Sequence, residues 1–142
     1  MFHFVIKRLR FATRVPGLVH CFNALLFAWN LCFHCEIVRA LDAVETAVAA
    51  WPGIVRRSHH YGGLQFDCAG REIGHLHGNG VLDIRFSKPM KDSLMQAWKV
   101  VEHHSLPHSG WISFWIHSPS DVPQALELLQ LSYRCVRGED SL

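Results

Sequence analysis

The chain reads as a two-layer α+β domain: an antiparallel five-stranded sheet with helices on one face, in the order α-β-β-β-β-α-β-α, preceded by an N-terminal hydrophobic helix. Three observations predict it. Apolar residues recur at helical spacing before residue 51, after 88 and after 120. Between them lie short runs rich in β-formers, cut by Gly62-Gly63, Ala69-Gly70 and Gly78-Asn79-Gly80. The strands come mostly together instead of alternating one by one with helices, which favours segregated layers over a parallel α/β sheet. With 142 residues, 49% hydrophobic and 18% charged, the sequence can fill one core and is neither disordered nor a repeat array. A net charge of +2 falls short of the basic footprint of a nucleic-acid binder, so no nucleic acid is expected as partner.

The first element is the least ordinary. Lys7, Arg8, Arg10 and Arg14 precede an apolar run, Val15 to Cys35, with no charged residue before Glu36. As a helix it would span about 30 Å, the thickness of a bilayer's hydrocarbon core. Pro16, His20, Asn23, Asn30 and His34 oppose full immersion. The expectation is a membrane-associated, uncleaved anchor or interfacial helix over 1–35, followed by the folded domain over 36–137 and a tail over 138–142. A spanning segment would keep the basic N-terminus cytoplasmic. A signal peptide is the rival reading, though no clear small-x-small cleavage site precedes Glu36; a helix docked on the domain is the other. Five cysteines, at 21, 32, 35, 68 and 135, give no disulfide framework, and Cys32-Phe33-His34-Cys35 has no second C-x-x-C to complete a zinc site. Packing is the expected role of these thiols.

Glu36 to Trp51 carries Ile37, Leu41, Val44, Val48 and Trp51 on one helical face, and Pro52-Gly53 ends it. Strands follow over Ile54–Tyr61, Leu64–Cys68, Glu72–His77 and Val81–Phe86. Lys88 to Val101 returns to helical spacing through Met90, Leu94, Ala97 and Val101, with Pro89 suited to the first turn. His103 to Gly110 is a loop, Trp111 to His117 the fifth strand. From Ser120, an N-cap candidate, the last helix runs through Leu126, Leu129 and Tyr133.

Strand pleating sorts the side chains by face. Leu82, Ile84 and Phe86 belong to the core, as do Ile112, Phe114 and Ile116; Val81, Asp83 and Arg85, and Trp111, Ser113, Trp115 and His117, point the other way. Between Glu72 and His77 the split is Glu72, Gly74 and Leu76 against Ile73, His75 and His77. A three-residue Gly78-Asn79-Gly80 loop sets Leu76 opposite Leu82 and His75 opposite Asp83, and matches apolar with apolar better than a two-residue Asn79-Gly80 turn does. The non-core face then gathers His75, His77, Asp83, Arg85, Trp111, Trp115 and His117, with His103, His104 and His108 entering from the loop. Aromatic walls with a few titratable groups suit a planar small-molecule ligand. His59, His60, His108 and His117 read as structural.

Arg71-Glu72-Ile73-Gly74-His75-Leu76-His77, Leu82-Asp83, His103-His104-Ser105-Leu106-Pro107, Gly110-Trp111 and Leu131-Ser132-Tyr133 together resemble the luciferase-like domain family, to which fungal luciferases belong. The likeness covers roughly residues 40 to 136. It implies oxygenation of a planar hydroxypyrone such as 3-hydroxyhispidin by molecular oxygen, with no separate cofactor and no metal, and membrane association as in the fungal enzymes. His75 and His77 match the family's paired histidines and His104 the histidine before its leucine. The chain is far shorter than the fungal enzymes, and the stretch before Trp111 aligns with gaps. The roles that follow are His75 or His77 as base for an enol proton, Asp83 orienting it, His104 alongside, Arg85 stabilising the enolate, and His103, Trp111 and Trp115 holding the ring. Two alternatives stay open. His75-x-His77 with Asp83 and a loop histidine also has the makings of a two-histidine, one-carboxylate metal site. A membrane-tethered module that binds a small molecule without transforming it would show the same residues.

Overall fold

The computed structural model describes residues 17–139, so the basic flank Lys7 to Arg14 and the end of the expected tail lie outside the described residues. Among the described residues four α-helices and six strands follow one another: α1 (Leu18–Phe33), α2 (Cys35–Ala49), β1 (Ile54–Ser58), β2 (Leu64–Cys68), β3 (Arg71–Leu76), β4 (Val81–Arg85), α3 (Lys88–Ala97), β5 (Val101–Glu102), β6 (Trp111–Trp115) and α4 (Val122–Arg137). The strands form one antiparallel sheet in the order β1-β2-β3-β4-β6-β5. The expected α+β class holds, but the sheet has six strands where five were expected. The helix expected to reach Val101 ends at Ala97, with Trp98 already extended at φ −126° and ψ 157°. Val100 turns into the core, and Val101 and Glu102 pair with Ser113 and Ile112 of β6. Val101 had matched the helical period by coincidence.

Helices and sheet meet through one apolar layer. Ala40, Leu41, Val44 and Val48 of α2, Leu94 of α3, and Ala125, Leu128, Leu129 and Tyr133 of α4 pack with Phe66, Ile73, Leu82, Ile84, Ile112 and Phe114 of the sheet. Each large side chain fully buried there contributes about 1.5–3 kcal/mol. Ser87 caps α3 by accepting from the Met90 amide at 3.4 Å. Before α4 the cap is a box formed by Ser118 and Asp121 around a 3₁₀ turn, not Ser120 as the sequence suggested. Asp121 is three residues beyond Ser118, the spacing that lets each side chain reach the other's backbone amide.

Two local features set the register on which the site depends. The β3–β4 hairpin closes through Gly78-Asn79-Gly80, with Leu76 opposite Leu82 and His75 opposite Asp83, as expected. Gly80 takes φ +91°, and a Cβ there would run into the Ile116 carbonyl, so only glycine fits. The second feature is a bulge. Phe66 pairs with Gly74 but Asp67 pairs with Glu72, which leaves Ile73 as an extra residue in β3. Ile73 is therefore fully buried in the core and Glu72 turns to the opposite face, the reverse of the simple alternation expected for both. The Ser132 hydroxyl sits between the carbonyls of Ile73 and Arg85, at 2.9 and 3.1 Å, where β3 and β4 diverge beside the bulge.

α1 covers most of the expected hydrophobic segment. At 16 residues it is about 24 Å long, and no single helix among the described residues is long and apolar enough to cross a membrane. α1 and α2 pass that test only as a pair, bent by 119° at the break between them. The polar side chains that opposed immersion have a second use: Asn30 Nδ2 donates to the Gly78 carbonyl and the Gly78 amide donates to Asn23 Oδ1, each at 2.8 Å. Seven residues apart, the two asparagines lie on the same side of the helix and grip the hairpin turn. Leu18, Phe22, Leu25, Trp29 and Phe33 remain exposed.

Candidate functional site

Antiparallel register lines up one row of residues across the sheet face opposite α2 and α4: Gln65, His75, Asp83, Ser113 and Val101, on five successive strands. Asp83 is its centre and is wholly buried. Its Oδ2 lies 3.2 Å from His77 Nε2, 3.4 Å from His75 Nε2 and 3.5 Å from His103 Nε2. Its Oδ1 accepts a hydrogen bond from the Ser113 hydroxyl. Burial, the largest influence, pushes the Asp83 carboxyl upward, but the hydrogen bonds from His103, His75, His77 and Ser113 outweigh it and hold the group far below the usual carboxylate range. Asp83 is thus a fixed negative charge.

The surrounding imidazoles differ in what they can donate. His103 Nδ1 accepts from the amides of Ser105 and Leu106, both at 3.2 Å, so its proton sits on Nε2 and points at Asp83. His75 has a carboxylate oxygen on each side: Glu72 Oε1 is 2.6 Å from Nδ1, and Asp83 Oδ2 faces Nε2. Burial alone would lower its pKa, but the bonds to Asp83 and Glu72 reverse that and raise it. His59 stacks on His75 with ring centroids 3.7 Å apart and planes 11° from parallel. Burial first and then repulsion by His75 lower its pKa to about 4, so His59 is a neutral ring stacked on His75. Trp111 closes one flank, its ring 5.3 Å from His75 and 6.0 Å from His103.

The loop that carries His103 is itself anchored. Buried Lys91 of α3 donates to Glu102 Oε1 at 3.2 Å and also to the Pro107 carbonyl, tying both ends of the turn to the helix. Two clefts each share one residue with the cluster. One of about 910 Å³ is lined by Glu72 together with Arg71, Arg85, Phe86, Met90, Ser132 and Val136. The other, about 360 Å³, lies under α1 and includes Asn23, Phe27, Gly78 and His77. Volumes in this range suit small organic ligands.

The structure thus brings His75, His77, Asp83, His103 and Trp111 together. It sets the other expected residues apart. His104 is exposed and stacks on His103 at 4.6 Å, so the histidine facing Asp83 is the first of the pair. Arg85 is exposed and lines the larger cleft, and Trp115 is exposed with its ring 6.1 Å from His117. Three members of the cluster were not expected: His59, Glu72 and Ser113. Ser113 was legible from the pairing of Asp83 with the fifth strand. Glu72 was hidden by the bulge, and His59 by the turn after β1, which folds its ring over His75. Among the described residues, His75, His77 and Asp83 form one trio of metal-ligand character, and His59, Glu72 and His75 another.

No curated protein and no solved structure matches the chain. The model of the Luciferase domain family matches residues 70–132, from the turn before β3 into the second half of α4. That segment supplies Glu72, His75, His77, Asp83, His103, Trp111 and Ser113, while His59 lies before it. Over residues 70–132, less than half of its length, the chain is similar to the Luciferase domain family.

Proposed function

We propose that the chain is an oxygenase of a planar, enol-type small molecule, with molecular oxygen as co-substrate. The observation that carries this reading is the linked pair Glu72–His75. Glu72, in the lining of a substrate-sized cleft, is backed at 2.6 Å by the His75 imidazole, whose other nitrogen faces the buried Asp83 carboxylate. Oxygenation of an electron-rich enol begins with loss of the enol proton. In this reading Glu72 takes that proton, the His75 Nδ1–H stays hydrogen-bonded to the carboxylate throughout, and Arg85 across the cleft offsets the charge of the enolate. Assigning the base to Glu72 follows burial: His75 is 4% exposed and lines neither cleft. Phe86 and Met90 supply the apolar wall against which a flat ring would lie.

The experiment is oxygen uptake by the purified full chain on addition of hydroxypyrones. Glu72→Gln should lower the rate by a factor of about 10²–10⁴, the usual worth of a positioned acid or base, with its thermal transition nearly unchanged. Saturable ligand binding with no oxygen consumption by the unaltered chain would instead make it a binding module.

The same reading sets α1 at an anionic bilayer surface. Its support is the exposed row Leu18, Phe22, Leu25, Trp29 and Phe33, with Lys7, Arg8, Arg10 and Arg14 immediately before it in the chain.

A further inference from the structure

We infer that His75, His77 and Asp83 hold a divalent first-row transition-metal ion through His75 Nε2, His77 Nε2 and Asp83 Oδ2. The first argument is spacing. Two ligand atoms at 2.0–2.1 Å from a common tetrahedral centre stand about 3.3 Å apart. The two nitrogen–oxygen separations here are 3.4 and 3.2 Å, and all three ligand atoms lie within 4.8 Å of one another. The second trio fails the same criterion: His75 Nδ1 and Glu72 Oε1 are only 2.6 Å apart, a hydrogen-bond distance too short for two ligands of one ion.

The second argument is direction. His75 Nδ1 is engaged by Glu72 Oε1 at 2.6 Å, and the Nε2 atoms of His75 and His77 both face Asp83 Oδ2.

The third argument is the set of groups behind the ligands. Metal-bound histidine commonly donates its other N–H to a carboxylate, which fixes the tautomer and raises its basicity. Glu72 does this for His75. Ligating carboxylates are hydrogen-bonded in turn, and Asp83 receives Ser113 on Oδ1 and the fixed Nε2–H of His103 on Oδ2. Two imidazoles and one carboxylate leave coordination positions free, and this donor set suits iron(II), manganese(II), cobalt(II) or zinc(II) better than calcium or magnesium. An iron(II)-class ion would connect the site to oxygen, and in that respect alone the inference rests on the oxygenase reading.

The test is cobalt(II) titration of the full chain, made without an affinity tag and dialysed against a chelator, followed by visible absorption and equilibrium dialysis. The expected result is about one cobalt per chain with ligand-field bands in the visible, as for a site of three protein ligands. His77→Ala and Asp83→Asn should abolish the bands, while His117→Ala should leave them. Glu72→Gln keeps all three ligands and should weaken binding about 10- to 100-fold, which preserves the test if removal of Asp83 unfolds the domain. Absence of stoichiometric cobalt, or equal affinity in the His77→Ala and Glu72→Gln chains, would overturn the site. Cobalt bound as expected by a chain whose iron(II)-loaded form consumes no oxygen with hydroxypyrones would defeat the oxygenase reading and leave the metal site standing.

Discussion

Ser132 and Glu72 show how much one residue decides. The Ser132 hydroxyl serves two strand carbonyls beside the bulge that turns Glu72 toward His75. Ser132→Ala leaves those buried acceptors without their donor and should lower unfolding free energy by about 1–3 kcal/mol, measured by urea denaturation; an unchanged midpoint would show that water replaces it. The sequence carried part of this scale. His75, His77 and Asp83 were legible because alternation and a three-residue turn put them on one face. Glu72 was not, since a bulge breaks the parity on which such reasoning rests. His103 could not be told from His104 in a loop, where no period applies, and the hydrogen bonds from the Ser105 and Leu106 amides are what select it.

Among elements, the stretch between α3 and β6 departs most from expectation. Residues 98–102 leave the helix and add a strand at the sheet edge, because Val100 fills the core while Val101 faces outward. The loop beyond hangs on Lys91, whose ammonium satisfies Glu102 and Pro107 at once. Lys91→Met keeps the stem's volume and removes those bonds. It should cost about 1.5–3 kcal/mol, the worth of hydrogen bonds to a charged group, and should speed amide exchange at Ser105 and Leu106 as His103 loosens. Exchange rates equal to those of the unaltered chain would mean that β5 pairing alone holds the loop. The remaining elements were legible within a few residues, since their apolar periods are long and their glycine turns unambiguous.

At the scale of the molecule, the two layers divide the work. Helices α2, α3 and α4 cover one face of the sheet and build its stability, and the other face carries the charged and aromatic side chains. α1 belongs to neither layer. It holds the hairpin beside His77 through Asn23 and Asn30 and leaves its apolar side exposed. On the proposed membrane reading, Trp29→Glu should weaken sedimentation with anionic vesicles by about tenfold or more, since it places a charge in the apolar face that binding would bury; undiminished sedimentation would remove α1 from the contact. The sequence foresaw an apolar segment but not its grip on Gly78, because a polar residue in an apolar run gives no sign of its partner.

A high-resolution crystal structure of the full chain grown with cobalt(II) tests the central claim most directly. The account predicts the Nε2 atoms of His75 and His77 and Oδ2 of Asp83 converging on one ion, with Glu72 on His75 Nδ1 and His103 on Asp83. Imidazoles turned away from Asp83, or cobalt held elsewhere by exposed histidines, would contradict it.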